Sequence, residues 1–252
     1  MAAAKVVCPR RANSDRRSRS STGTLIDVLG IPEVCRAGSH SGSGCHRATL
    51  ERVSSTADRR WNHNIHYYGL VLDALPSNAR TALDVGTGDG LLAAELRCRV
   101  RDVTAIDTDA AVLDRARASG ADVTWVTGDV MTHPFPLAHY DLVAAVATLH
   151  HLPDPAAGLS RLAALTAPGG SLVVIGLAGS ATPADYVMDA VGIAQHQVLS
   201  RTRGYWEHTA PVVMDIHHGY SDVRKLAATT LPGMVWRRLP LFRYAITWRK
   251  PR

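Results

Sequence analysis

The sequence predicts an α/β fold, a doubly wound and mostly parallel seven-stranded sheet carrying an antiparallel C-terminal hairpin. Three observations lead there. From residue 81 onward short apolar runs alternate with helical patterns, which places helices on both faces of a parallel sheet. The run Leu142–Ala147 is apolar throughout, as a strand covered on both faces must be. A glycine cluster, Gly86-Thr87-Gly88-Asp89-Gly90, follows the first of these strands directly and lets the backbone turn tightly at its end.

Taken in order, Trp61-Asn62-His63-Asn64-Ile65-His66-Tyr67-Tyr68 leads into Leu70, Val71, Leu72 and Leu75, an amphipathic helix closed by Pro76. Thr81–Val85 is the first strand, and a helix starts over Leu91–Leu96. Val103–Ile106 is the second strand, followed by a helix over Ala110–Ala118 that Gly120 ends. Val123–Val126 is the third strand and Leu142–Ala147 the fourth. A helix over Ala156–Leu165 stops at Pro168-Gly169-Gly170, and Leu172–Gly176 is the fifth strand. Residues 177–222 are less regular and mostly helical in pattern. Met234–Arg238 and Arg243–Trp248, on either side of Pro240, read as a hairpin on the sheet edge.

Composition narrows the function classes. Of 252 residues, 46% are hydrophobic, enough for a substantial core, yet no run of 18 apolar residues appears that would span a membrane. The first 25 residues hold Arg10, Arg11, Arg16, Arg17 and Arg19 and no apolar core, which disfavours a secretory signal and leaves a cytoplasmic protein as the expectation. The net charge of +6 is unevenly placed. Residues 1–60 carry 11 Lys/Arg against 5 Asp/Glu, whereas 61–252 carry 17 of each sign. Residues 1–54 therefore read as a basic, Arg/Ser/Gly-rich, disordered segment, and 55–252 as the folded domain. A neutral domain makes nucleic acid a poor partner. Cys35, His40, Cys45 and His46 match no zinc spacing, so no metal is expected.

The chemistry gathers at the strand ends, where a parallel sheet binds ligands. The first loop is spaced GxGxG, with Leu91 where a dinucleotide fingerprint would have its third glycine. Asp84 precedes it and would repel a pyrophosphate but pair with an ammonium. The helix behind the loop would aim backbone N–H groups at a carboxylate. Asp107 ends the second strand and can accept both ribose hydroxyls, because Asp109 is the better helix cap and leaves it free. Asp129, in Gly128-Asp129-Val130, can accept from an adenine amino group while Val130 packs on the ring. The fourth strand delivers His150 and His151 to the same side.

Together these residues resemble the class I S-adenosylmethionine-dependent methyltransferases, in the branch acting on small molecules and lipid quinones. The resemblance covers about residues 60–176. Asp84 through Gly90 match the family's glycine-rich loop, Asp107 its ribose acid and Asp129 its adenine-side acid. Asp141–Leu152 and Pro168–Gly170 match the segment after strand four and its turn. The implied fold is the Rossmann-like methyltransferase fold, and the implied cofactor is S-adenosylmethionine. The implied binding set is Asp84, Gly86, Thr87, Gly88, Gly90, Asp107, Thr108, Asp129, Val130 and Ala147. Base-modifying relatives carry an Asp/Asn-Pro-Pro-Tyr/Phe after strand four, where this chain has Ala147-Thr148-Leu149-His150, and no cysteine follows Cys98 to serve cytosine-C5 chemistry. The expected acceptor is thus small or lipid-like. In the resembled family the segment before strand one folds over the cofactor, so Trp61–Tyr68 is an expected lid, and 177–222 an expected cover for the acceptor. Candidate lining residues there are Tyr186, Met188, Tyr205, Trp206, His208, His217 and His218. His150 is the candidate general base, against a plain structural role. The alternatives are an RNA or protein methyltransferase using the basic N-terminal arm, a non-catalytic cofactor-binding protein, and a nucleotide-linked oxidoreductase. The oligomeric state is not legible in the sequence.

Overall fold

The computed structural model describes residues 61–207 and 218–252. The expected basic tail, and with it the boundary at residue 54, lie outside the described residues. Seven strands form one sheet in the order β3-β2-β1-β4-β5-β7-β6. They are β1 (Thr81–Val85), β2 (Asp102–Asp107), β3 (Thr124–Thr127), β4 (Tyr140–Val146), β5 (Thr166–Gly176), β6 (Val235–Leu239) and β7 (Arg243–Arg249). The first five are parallel, and β7 pairs antiparallel with both β5 and β6. The chain leaves β1 toward β2 and β3, then returns to the other side of β1 as β4. That reversal opens a crevice beyond the carboxyl ends of β1 and β4.

Side chains alternate strictly across the sheet. On β4, Leu142 and Ala144 join a core with α1 (Tyr68–Asp73) and α2 (Leu91–Arg97). Val143 and Ala145 join the opposite core, with Leu159, Leu162 and Leu165 of α4 (Pro155–Leu165) and Val223 and Ala227 of α6 (Tyr220–Thr230). All four are fully buried, which is why the run from Leu142 onward shows no polar positions. The helix α3 (Ala110–Ala118) is capped by Asp109, whose carboxylate accepts from the N–H groups of Ala111 and Val112. Asp154 caps α4 in the same way.

Some expectations on element bounds need correction. The helix expected over Trp61–Leu75 is a 3-10 turn at Ile65–Tyr67 followed by the short α1. The amide of Asn62 explains this, since its Oδ1 accepts from Asn64 and Ile65 N–H and holds the preceding residues in a turn. The fifth strand starts at Thr166 and runs through Pro168-Gly169-Gly170, with a register shift against Tyr140 and Leu142 of β4. The irregular pattern after 177 resolves into one long helix, α5 (Pro183–Arg203), opened by a capping box between Thr182 and Asp185.

Candidate active site

The crevice beyond β1 and β4 holds a cavity of about 500 Å3. The glycine loop forms its floor. Gly86 has φ +67°, and a Cβ there would run into the side chain of Thr148. That threonine sits between the ends of β1 and β4, its hydroxyl donating to the carbonyls of Val85 (2.9 Å) and Val146 (3.1 Å). The loop hydrogen-bonds mostly to its own surroundings. The N–H groups of Gly86 and Thr87 reach Ile106 O, and Gly90 N–H reaches Thr87 O. It is therefore a rigid turn more than the open N–H cradle the sequence suggested.

Asp84 lies under the loop, 2% exposed, and accepts from Thr87 Oγ1 at 2.6 Å. Burial pushes its carboxyl up to about 7, offset in part by the hydrogen bonds from Thr87 and from Ala93 N–H and reinforced by the charge of Asp107. Asp107 is less free than expected. One oxygen accepts from Gly88 N–H (2.9 Å) and the other from Asp109 N–H (3.0 Å). Each oxygen keeps a lone pair, so the carboxylate stays open to a ligand while tying the glycine loop to the end of β2. Asp129 is exposed on the rim, its Oδ1 bonded to Met131 N–H at 2.9 Å, and Val130 is buried beside it.

Asp84, Gly86, Thr87, Gly88, Asp107, Thr108, Asp129, Val130, Ala147 and His150 all line this one cavity. Gly90 does not. It precedes α2 with φ +73°, and a Cβ there would come within 2.5 Å of the Trp125 ring, so the glycine is demanded by conformation and close packing. Ala147 also adopts a left-handed φ, +55°, turning the chain off β4 toward the histidines.

His150 and His151 follow on a 3-10 turn (Leu149–His151), their rings 4.0 Å apart. His150 Nδ1 is buried with no hydrogen-bond partner among the described residues. Burial lowers its imidazole to about 4, with smaller contributions from His151 and Arg243. It is neutral at pH 7 and a weak base.

The remaining wall comes in part from the expected lid and cover segments and in part from residues the sequence reading passed over. Asn62, Asn64 and Tyr68 reach the cavity from the segment before β1. Trp61 itself is buried, and its carbonyl accepts from Trp206 N–H at 2.8 Å, fastening that segment to the chain after α5. Of the candidates between 177 and 222, Trp206 lines the cavity, together with the unanticipated Leu177. Tyr186, Met188, Tyr205 and His218 do not line it, Tyr186 and Tyr205 being largely exposed, and His208 and His217 lie outside the described residues. Arg243, at the start of β7, was not singled out. It is 7% exposed and lines the cavity, and it donates from Nε (3.2 Å) and Nη2 (2.9 Å) to Asn64 Oδ1. Its signal was present as an arginine set between Phe242 and Tyr244 in a buried strand, but it was obscured by the heavy use of arginine throughout the chain. Among the described residues no group of three potential metal ligands forms, and no helix is long and apolar enough to cross a membrane.

A mixed seven-stranded sheet of this order, with acidic strand ends lining one crevice, defines the class I methyltransferase fold. Comparison with known proteins agrees. Residues 83–174 match the methyltransferase domain family. The chain is 39% identical over 198 residues to an uncharacterized methyltransferase of Mycobacterium tuberculosis, covering 77% of this chain and 99% of the relative. It is 30% identical over 168 residues to the ubiquinone biosynthesis O-methyltransferase of Xanthomonas axonopodis pv. citri, covering 60% of this chain and 68% of that one. Among solved structures it resembles the N-methyltransferase NodS of Bradyrhizobium japonicum in complex with S-adenosylhomocysteine, with a TM-score of 0.50, 16% identity, and coverage of 75% of this chain and 87% of that one. The chain belongs to the class I S-adenosylmethionine-dependent methyltransferases and is an enzyme of that family.

Proposed function

We propose that this enzyme transfers the methyl group of S-adenosylmethionine to a small or lipid-like acceptor held in the outer half of the cavity. The observation that carries this reading is the shared wall. Three strand-end carboxylates and the post-β4 histidine line one cavity of about 500 Å3, a size typical of small-molecule sites. The donor set fits the cofactor's chemistry. Asp84, buried and with no cation paired to it among the described residues, suits an ammonium. Asp107 offers its spare lone pairs to ribose hydroxyls, and Asp129 with Val130 suits an adenine edge and face. Gly88 has φ +54° and open space where a Cβ would sit, so a ligand can approach its backbone.

Bound S-adenosylmethionine supplies the electrophilic methyl carbon, and the protein supplies position and electrostatics. Thr148 and the left-handed Ala147 fix the end of β4 where acceptor and methyl would meet. Leu177 and Trp206 exclude water from the acceptor side. Neutral His150 is better suited to hydrogen-bonding an acceptor atom than to deprotonating it. The ubiquinone O-methyltransferase among the relatives is consistent with a small acceptor. The balanced charge of residues 61–252 weighs against RNA.

Calorimetry tests the reading. The full chain is expected to bind S-adenosylhomocysteine, and Asp107→Ala to weaken binding by about 1.5–3 kcal/mol, the worth of a charge-assisted hydrogen bond. Binding of NADH with none of S-adenosylhomocysteine would sink the assignment.

A further inference from the structure

We infer that the acceptor is an acid, and that Arg243 holds its carboxylate. Arg243 is a buried cation without a buried anion. Among the described residues it forms no ion pair with a carboxylate, and the groups whose charge bears on it are the hydroxyls of Tyr220, Tyr67 and Tyr205, of which burial raises Tyr220 and Tyr67 above the ordinary phenol range. Its hydrogen bonds are to neutral acceptors. Asn64 Oδ1 takes Nε and Nη2, while Nη1 has only long contacts to the carbonyls of Leu241 (3.5 Å) and Phe242 (3.4 Å). Burial without a counter-charge pulls its pKa down to about 10, so it remains fully protonated at neutral pH. A buried cation in this state is costly unless an anion completes it, and a guanidinium matches a carboxylate geometrically. The side chain is held rigidly by Asn64, so little of its freedom is left to lose on binding.

Its position points to the acceptor. The cofactor-side acids Asp84, Asp107 and Asp129 stand at the ends of β1, β2 and beyond β3. Arg243 lies on the other flank, on β7, with β4 and β5 between it and β1. It sits one residue before the pair Tyr244–Gly176, beside Leu177, and its charge is felt by His150 at the end of β4. A second, independent feature lies there. His150 Nδ1 is buried and unpartnered, and as its N–H tautomer it would donate to an acceptor oxygen. The same cavity is lined by the apolar Val146, Leu152, Pro153, Leu177 and Trp206, along with the amides of Asn62 and Asn64. One cation and one neutral donor beside apolar surface suit an amphipathic acid with an aliphatic or aromatic body.

This inference rests on the methyltransferase reading above, and one experiment separates their failures. The full-length protein is saturated with S-adenosylhomocysteine and titrated with octanoate and benzoate, and with octanamide and benzamide as neutral isosteres. Each acid is expected to bind about tenfold or more tightly than its amide. The preference should vanish in Arg243→Gln and survive, weakened, in Arg243→Lys. Equal binding of acid and amide to the wild type overturns the inference. So does a preference that persists in Arg243→Gln. An Arg243→Gln protein that folds but loses S-adenosylhomocysteine would hand the guanidinium to the cofactor's own carboxylate and overturn it too. If that variant does not fold, the wild-type comparison of acid with amide decides alone. Failure of the wild type to bind S-adenosylhomocysteine would instead strike the cofactor reading.

Discussion

At the scale of the residue, the buried acid under the glycine loop gives the sharpest expectation. Asp84 is pushed up to about 7, so near neutral pH it is only partly ionised. An arriving ammonium favours the ionised form and lowers that pKa, so binding below about pH 7 must release a proton. Affinity for S-adenosylhomocysteine should therefore rise as pH climbs from 6 to 8. Calorimetry in buffers of different ionisation enthalpy would read the proton directly, and Asp84→Asn should abolish both the release and the rise. A flat affinity profile in the wild type would remove Asp84 from the ammonium site. His150 carries the opposite shift, down to about 4. It is already neutral across pH 6–8, so it should impose no step on the rate there. His150→Gln should cost less than the roughly 10²–10⁴-fold that a general base contributes. Single-turnover rates across pH would check this, and a wild-type step near 6.5 that the variant loses would restore the base role. The sequence exposed Asp84, Asp107 and His150 because each stands beside a strand end or a glycine. Arg243 stayed hidden among the many arginines of the chain, and its meaning comes from Asn64, 179 residues away.

At the scale of the element, the cavity depends on two junctions. The first is the contact of the glycine loop with the end of β4. Gly86→Ala would force a left-handed φ on a residue with a Cβ, at about 1–2 kcal/mol, and also drive that Cβ into Thr148. Loss of S-adenosylhomocysteine binding with a lowered melting temperature is expected, and Gly86→Ala/Thr148→Ala should recover part of the stability but not the strain. A double variant no better than the single would show that Thr148 is not the obstacle. The second junction anchors α5. Arg238 of β6 donates to Asp189 on α5 at 2.7 Å, and its guanidinium lies 3.7 Å over the ring of Tyr220 on α6. Asp189→Ala would leave Asp185 at 3.8 Å as the one carboxylate near that cation among the described residues, beside the Tyr220 ring and two backbone carbonyls. A loss of about 1–3 kcal/mol is expected, or about 2–4 °C of melting temperature per kcal/mol, and thermal denaturation would measure it. The strands and α2, α3 and α4 were legible because each carries its own period, and α3 and α4 a capping aspartate as well. The turn at Asn62, the early start of β5 and the full length of α5 were not, since a side-chain hydrogen bond, a pairing with Tyr140 and a docking arginine decide them.

At the scale of the whole molecule, histidines join the segment before β1 to the rest of the fold. His63 Nε2 lies 2.9 Å from His196 Nδ1 on α5, among the rings of Trp61, Tyr205 and Phe242. Burial lowers His63 to about 4, helped by Arg243, His196 and His66, and burial lowers His66 and His151 as well. With His150 these four groups all prefer to be neutral in the folded protein, whereas in the unfolded chain they bind protons near 6.5. Between pH 6.5 and 4 the unfolded state thus holds more protons at these histidines than the native one, and they outnumber the proton that Asp84, raised to about 7, holds in the native state, so stability is expected to fall as pH falls through that window. Protonation of His63 would also place a cation against Arg243 and His196, prying the Asn62–Tyr68 segment from the cavity it helps to wall. Melting temperature should therefore drop steeply from pH 6.5 toward 4, and S-adenosylhomocysteine affinity should fall over the same range. His63→Gln can keep a hydrogen bond to His196 but does not titrate, so it should flatten both profiles in part. Melting curves of the two proteins from pH 4 to 7 decide this. A wild type as stable at pH 4.5 as at pH 7 would mean these histidines protonate without opening the fold.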